Sequence, residues 1–128
     1  MKNKHFGENF LLWSKLARRL YFEVAEDLPI IDFHNHLSVS DLKENRKYGD
    51  IYEAWLANDP YKHRAMRILG VPEKYITGDS EHYEKFLSFC EIFPRLIGTP
   101  LFDWSMMELR RVFGIDITPS ADRSGNMG

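Results

Sequence analysis

Two histidines separated by one residue, His34 and His36, are the side chains in this sequence best suited to bind a metal ion. If they lie in a β-strand, both point to the same face, and their Cβ atoms lie about 7 Å apart. Two imidazoles at that separation can lean towards one ion and bind it at about 2.0–2.1 Å each. A catalytic metal site needs a third protein ligand and leaves one position open for water or substrate. Two ordinary histidines near the end of a strand are the alternative interpretation.

The segment that would position this pair is Leu28–His36, which is rich in β-branched and aromatic residues. Its proline, Pro29, suits the start of a strand and disfavours a continuing helix. We therefore predict one β-strand here. A lone strand leaves its backbone groups unpaired, so the other strands of its sheet must come from elsewhere.

The rest of the chain is patterned as helices. Apolar residues at helical spacing predict a first helix over about Phe10 to Glu26. Later helix starts are predicted from capping residues, at Asp50, at Asp59-Pro60, at Asp79 or Ser80, and at Thr99-Pro100. Helix ends are predicted at Gly70, Pro94 and Gly114. We expect Cys90, Trp55 and Trp104 to lie in the core.

Composition excludes several classes of protein. The chain has 128 residues, 17 Lys plus Arg, 19 Asp plus Glu and a net charge of −2, which indicates no nucleic-acid partner. The hydrophobic fraction of 44% is too high for a disordered chain. No apolar run reaches the roughly 20 residues of a membrane span, and no signal peptide is recognisable at the N-terminus. The single Cys90 suits a reducing compartment, so we predict a soluble, cytoplasmic protein.

Several ordered motifs resemble one family of enzymes, the uronate isomerases of the amidohydrolase superfamily. The resemblance covers about residues 8 to 118. Its motifs are Glu8-Asn9-Phe10-Leu11-Leu12, Asp32-Phe33-His34-Asn35-His36-Leu37, Glu53-Ala54-Trp55-Leu56, Tyr61-Lys62-His63-Arg64-Ala65-Met66-Arg67, Tyr75-Ile76-Thr77-Gly78 and Gly98-Thr99-Pro100-Leu101-Phe102-Asp103-Trp104. An isolated His-x-His motif is weak evidence, whereas this ordered set is specific.

The resemblance implies an α/β fold, a (β/α)₈ barrel with its active site at the carboxyl ends of the strands. It implies that His34 and His36 bind a divalent metal, for which imidazole ligands suit zinc and also iron, nickel or copper. The family's third ligand is an aspartate late in the barrel, and no residue here corresponds to it. Tyr61 matches a family tyrosine near the substrate and is our candidate catalytic residue. The family converts D-glucuronate to D-fructuronate and D-galacturonate to D-tagaturonate.

The chemistry of that reaction suggests roles for further residues. Moving a proton between C1 and C2 of a sugar needs an acid–base group and stabilisation of the enediolate oxygens. Arg64 is the candidate for holding the uronate carboxylate through two hydrogen bonds. The role of Arg67 stays open, and a solvated helix face is the alternative for either arginine. Pro60 stands where the family commonly has a substrate-contacting histidine, and His63 could replace that histidine only with a shifted substrate pose.

Length conflicts with a complete barrel, which needs at least about 200 residues. We therefore predict an N-terminal fragment that is mostly α-helical, with little or no turnover of its own. We divide it into an N-terminal helix and first barrel strand over 1–38, a helical insertion over 39–117 and an irregular tail over 118–128. A second hypothesis is a helical interaction module without catalysis, which self-associates or pairs with a partner. A third is a metal-dependent hydrolase, and a homo-oligomer is possible with any of them.

Overall fold

A computed structural model of the chain describes residues 7–116 and 118–119. It divides them into two compact units, residues 7–35 with 106–116, and residues 36–105 with 118–119. The α-helices are α1 (Lys15–Leu20), α2 (Val39–Lys43), α3 (Ile51–Trp55), α4 (Pro60–Ile68), α5 (His82–Ile92) and α6 (Pro100–Phe113). The predicted, mostly helical character is confirmed over these residues. Most of the irregular tail predicted over 118–128 lies outside the described part of the chain, which includes only residues 118–119 of it.

The first unit contains α1, which continues into a π-helix over Tyr21–Ala25. The predicted first helix is confirmed, but its start at Phe10 is wrong. Ser14 is the N-cap, and its hydroxyl accepts a hydrogen bond from the backbone N–H of Ala17 at 3.0 Å. Leu11, just before the cap, has a φ of 65°, which a right-handed helix cannot contain.

The predicted strand over Leu28–His36 is wrong for the described chain. Residues 29–35 have no regular secondary structure, and Phe33 is 97% exposed. The backbone N–H of His34 donates to Oδ1 of Asp32 at 2.9 Å, a local bond that competes with strand pairing. The physical reason is that a strand needs a neighbour for its hydrogen bonds, and no segment within residues 7–116 is a strand.

The second unit contains α2 to α5 and residues 100–105 of α6, and most helix starts follow the predicted caps. Oδ1 of Asp50 accepts from the N–H of Glu53 at 2.8 Å. Oδ1 of Asp59 accepts from the N–H groups of Tyr61 and Lys62. Gly70 follows the end of α4 with a φ of 84°, and Gly114 of the first unit follows the end of α6 with a φ of 68°, as helix-ending glycines should. The carboxylates of Asp50 and Asp59 accept hydrogen bonds from the first N–H groups of α3 and α4, which have no partner inside the helix.

The predicted cap at Asp79 or Ser80 is wrong. Helix α5 begins at His82, and its N-cap, Glu81, makes no side-chain capping bond. The backbone before it follows a different path, because a 3₁₀ turn over Glu73–Tyr75 continues in further turns. The N–H of Ser80 donates to the carbonyl of Lys74 at 3.3 Å, so the backbone of Ser80 belongs to that turn and not to the start of α5.

The core of the second unit is aromatic. The ring of Phe89 lies 5.4 Å from that of Trp55 and 5.6 Å from that of Phe93, and Phe93 stacks on Phe102 at 4.9 Å. Trp55 and Cys90 are buried as predicted, and burial raises the pKa of the Cys90 thiol to about 11. The prediction that Trp104 lies in the core is wrong, since 48% of its surface is exposed.

No helix that the structure describes is long and apolar enough to span a membrane.

Candidate metal and substrate site

His36 lies in the second unit, beside the start of α4. Its Nδ1 is 3.7 Å from Oδ1 of Asp59, and its ring centroid is 5.0 Å from that of Tyr61. The side chain is largely covered, with 28% of it exposed. The imidazole therefore has a carboxylate next to Nδ1 and an aromatic ring against it.

Asp59 connects His36 to the start of α4. Partial burial acts to raise the pKa of Asp59, but the charge and hydrogen bond of Lys62 and the backbone N–H groups outweigh it. The pKa of Asp59 therefore lies below its ordinary value, and the group is a carboxylate at neutral pH. A carboxylate at this position also suits the positive end of a helix.

Lys62 is the functional candidate that sequence reasoning missed. Its side chain is only 2% exposed, and its Nζ donates to Oδ2 of Asp59 at 2.9 Å. The same ammonium lies 4.7 Å from the ring centroid of Trp55, a cation–π contact. A lysine three residues after a capping aspartate is the only signal in the sequence, and such pairs are common on solvated helices.

The other predicted site residues are distributed between the two units. Tyr61 is half-exposed in the second unit, and its ring meets that of Trp104 edge-on at 6.2 Å. Arg64 lies exposed on α4, three residues after Tyr61. His34 is exposed and belongs to the first unit. The second unit begins at His36. The structure therefore brings together His36, Asp59 and Tyr61, and the roles of His34 and Arg64 stay predictions.

Arg67 has a structural partner. Its guanidinium binds both carboxylate oxygens of Glu73, at 2.8 and 2.6 Å. The hydrogen bond from Arg67, with a second from Thr77, lowers the pKa of Glu73 to about 2. This fork-to-fork pair joins α4 to the 3₁₀ turn that follows it.

A metal ion would find two donors of suitable chemistry in His34 and His36. Neutral imidazole is a common zinc ligand, and a catalytic zinc has three protein ligands. Among the residues that the structure describes, no group of three His, Cys, Asp or Glu side chains could hold a metal ion. Metal binding by His34 and His36 therefore stays a prediction.

His63 is buried on α4 and is part of the core of the second unit. One ring nitrogen hydrogen-bonds the backbone of Leu56, while Nε2 has no hydrogen-bond partner among the described residues. Burial lowers the pKa of His63 below its ordinary value, and the charge of Arg67 acts in the same direction. His63 is therefore neutral in the folded chain at neutral pH.

This burial predicts a pH dependence of folding. Because the pKa of His63 is lower in the folded chain than in the unfolded one, unfolding takes up a proton at acid pH. Stability should be fully present above the ordinary histidine pKa of about 6.5 and fall as the pH drops below it. We expect the substitution His63→Gln to flatten that decline in urea unfolding between about pH 8 and pH 5. His82→Gln, at an exposed position, is the control and should leave the decline unchanged; an equal decline in His63→Gln would contradict the assignment.

Known proteins with similar sequences are uronate isomerases. The family model described as glucuronate isomerase matches residues 1–126. The uronate isomerase of Caldicellulosiruptor bescii is 50% identical over 113 residues, which is 88% of this chain and 24% of that protein. The uronate isomerase of Bacillus pumilus is 52% identical over 109 residues, which is 85% of this chain and 23% of that protein.

A solved structure agrees with the sequence relatives. The crystal structure of uronate isomerase from Thermotoga maritima is similar with a TM-score of 0.81 and 43% identity, over 90% of this chain and 25% of that one. The chain therefore spans about a quarter of the length of its relatives. Since the family model matches nearly every residue, the chain belongs to the glucuronate isomerase family.

Proposed function

We propose that this chain is the N-terminal part of a cytoplasmic uronate isomerase that interconverts D-glucuronate with D-fructuronate and D-galacturonate with D-tagaturonate. The observation that carries the proposal is the match of the family model to residues 1–126. The matched relatives are about four times as long as the part of them that this chain covers. The complete protein is a (β/α)₈ barrel in this proposal, and residues 28–36 become its first strand when neighbouring strands are present. The 128-residue chain alone has little or no activity.

In this proposal His34 and His36 supply two ligands of a divalent metal ion, zinc by ligand chemistry. The third ligand comes from the part of the protein that this chain does not contain. When bound, such an ion polarises substrate oxygens and stabilises charge on them. The chain's own contribution is to present two imidazoles at the site.

Tyr61 and Arg64 act on the substrate in this proposal. Tyr61 is half-exposed beside His36, so its hydroxyl is the acid–base group proposed for moving the proton between C1 and C2. Arg64 is exposed one helical turn further along α4, where its guanidinium can bind the uronate carboxylate by two parallel hydrogen bonds.

Pro60 is expected to alter this activity. It occupies the first position of α4, where a proline fits the helix and has no N–H to leave unpaired. It offers no side-chain group that could bind substrate or carry a proton. We therefore expect Pro60→His to raise the activity of the complete enzyme.

A helical module that associates through its exposed apolar segment is the second candidate. Ile30, Ile31 and Phe33 are each more than 85% exposed, which is unusual for a monomer that keeps its apolar residues inside. Size-exclusion chromatography of the 128-residue chain separates the two candidates. A well-behaved monomer counts against the module, and a stable oligomer without activity in any chimera supports it.

The decisive experiment is a chimera. Residues 7–116 of this chain replace the matching quarter of the Thermotoga maritima uronate isomerase, whose fold this chain shares at a TM-score of 0.81. We expect the chimera to isomerise D-glucuronate or D-galacturonate, while the 128-residue chain alone does not. The unmodified Thermotoga maritima protein is the control, and a folded chimera that converts neither uronate would contradict the proposal.

A further inference from the structure

We propose that Trp104 is a positioning residue for Tyr61: its indole ring holds the phenol ring of Tyr61 in one orientation beside His36. The catalytic meaning of that orientation rests on the proposed function, in which the Tyr61 hydroxyl moves the proton between C1 and C2. The orientation itself does not, because it follows from ring contacts within the second unit.

The backbone of Tyr61 is fixed, but its side chain needs further contacts to be held. Its N–H donates to Oδ1 of Asp59 at 2.9 Å, at the start of α4. The tyrosine is half-exposed, so the surrounding residues do not enclose it. A long side chain on a helix commonly adopts either of two χ1 rotamers, which direct its end to different places. Contacts with neighbouring rings therefore decide where the Tyr61 hydroxyl lies.

Two rings contact the phenol ring of Tyr61. The His36 imidazole is tilted by 40° to it, with a centroid distance of 5.0 Å. The Trp104 indole meets it edge-on at an interplanar angle of 64°, with a centroid distance of 6.2 Å. An edge-on pair depends on orientation, because the positive edge of one ring lies against the negative face of the other. The contact with Trp104 therefore favours one orientation of the phenol.

The start of α6 holds Trp104 in place. The hydroxyl of Thr99 accepts a hydrogen bond from the N–H of Phe102 at 3.3 Å, and the Phe102 ring stacks on that of Phe93 in the core. Trp104 is half-exposed, so its indole contacts Tyr61 at the surface of the unit and not inside that core. An anchored helix thus presents the indole to a tyrosine that has few other contacts.

The orientation of the phenol bears directly on proton transfer. An acid–base group acts only when it lies within hydrogen-bond distance of the proton that it moves. The attraction of one aromatic pair corresponds to about a 2- to 10-fold change in the population of an orientation. In the chimera, Trp104→Ala should therefore lower kcat for D-glucuronate by about 2- to 10-fold. KM should change little, because the proposed carboxylate-binding residue, Arg64, is retained.

The orientation is tested in the 128-residue chain, without substrate or metal. Three-bond couplings from the backbone ¹⁵N and ¹³C′ to ¹³Cγ of Tyr61 report which χ1 rotamer is populated. We expect one rotamer in the unmodified chain and an average of rotamers in Trp104→Ala. Trp104→Phe keeps an aromatic ring and should restore most of the preference. Tyr83→Ala removes an exposed ring from α5 in the same unit, so it is the control and should leave Tyr61 unchanged.

A double variant in the chimera tests the catalytic consequence. If Trp104 acts through the Tyr61 hydroxyl, Trp104→Ala should lower kcat in the unmodified background but have no further effect in Tyr61→Phe, where that hydroxyl is absent. A purely structural role would lower kcat by the same factor in both backgrounds. Trp104→Phe should recover most of the lost rate, whereas Trp104→Leu, which keeps apolar bulk without a ring, should not.

Three results overturn the proposal. The first is a Tyr61 side chain that averages over rotamers in the unmodified chain, and the second is one that keeps a single rotamer in folded Trp104→Ala. The third is an equal loss of kcat for Trp104→Ala in both backgrounds, or full recovery in Trp104→Leu. A folded chimera that converts neither uronate contradicts the proposed function instead, and the rotamer measurement then decides the positioning role by itself.

Discussion

His36→Ala should lower kcat for D-glucuronate isomerisation by about 10³-fold in the chimera that carries residues 7–116 of this chain. A bound metal would contribute several kcal/mol of charge stabilisation, and each 1.4 kcal/mol changes the rate about tenfold. The lost imidazole also leaves Asp59 without the ring that it faces at 3.7 Å. We expect the metal content per chain to fall together with the rate.

The matched control for this substitution is His82→Ala. His82 is exposed and contacts Asp50, a capping residue of a different helix. Steady-state kinetics and elemental analysis should show its rate and metal content close to those of the unmodified chimera. A His36→Ala chimera that retains both its metal and its rate would show that His36 is no ligand.

Phe89→Ala should destabilise the second unit by about 3–5 kcal/mol, the cost of a large aromatic deletion in a packed core. Phe89 has no exposed surface, and its ring contacts those of Trp55 and Phe93. The smaller side chain loses apolar burial and leaves a cavity that the neighbouring rings fill only in part. Since small domains are stable by about 5–15 kcal/mol in total, this loss is a large fraction of the free energy of unfolding.

Urea unfolding followed by tryptophan fluorescence measures this effect, because Trp55 lies in the same core. Tyr83→Ala is the control on the same helix, α5, where the tyrosine is 70% exposed. The urea concentration at the unfolding midpoint of Tyr83→Ala should change little, since surface substitutions change the free energy of unfolding by about 0.5 kcal/mol or less. Equal midpoints for Phe89→Ala and the unmodified chain would mean that this aromatic cluster does not stabilise the unit.

Local sequence signals predicted the helices well. The caps at Asp50, Asp59 and Thr99 and the helix-ending glycines at Gly70 and Gly114 all appear as expected. These features succeed because they act over three or four residues. A carboxylate or hydroxyl pairs with N–H groups of its own helix, and a glycine adopts positive φ wherever the chain must turn.

Predictions that needed distant partners failed or stayed incomplete. The segment Leu28–His36 has the composition of a strand, but no strand among residues 7–116 is there to pair with it. The cap predicted at Asp79 or Ser80 failed for a local reason, because the backbone N–H of Ser80 donates to the carbonyl of Lys74 in the preceding turn. The exposure of Trp104 and the burial of Lys62 likewise depend on which helices pack together, and no local pattern reports that.

By itself, the sequence determined the family, most of the helices and the two histidines proposed as metal ligands, because ordered motifs, caps and periodicity are local properties. Only the tertiary structure showed that Asp59 joins His36 to a buried Lys62, and that Tyr61 packs between His36 and Trp104. The physical reason is that a buried charge is tolerated only beside a specific partner. Asp59 lies three residues before Lys62, so this pair is within reach along the chain. The burial of Lys62 against Trp55 depends on the packing of α3 against α4, which spacing along the chain does not encode.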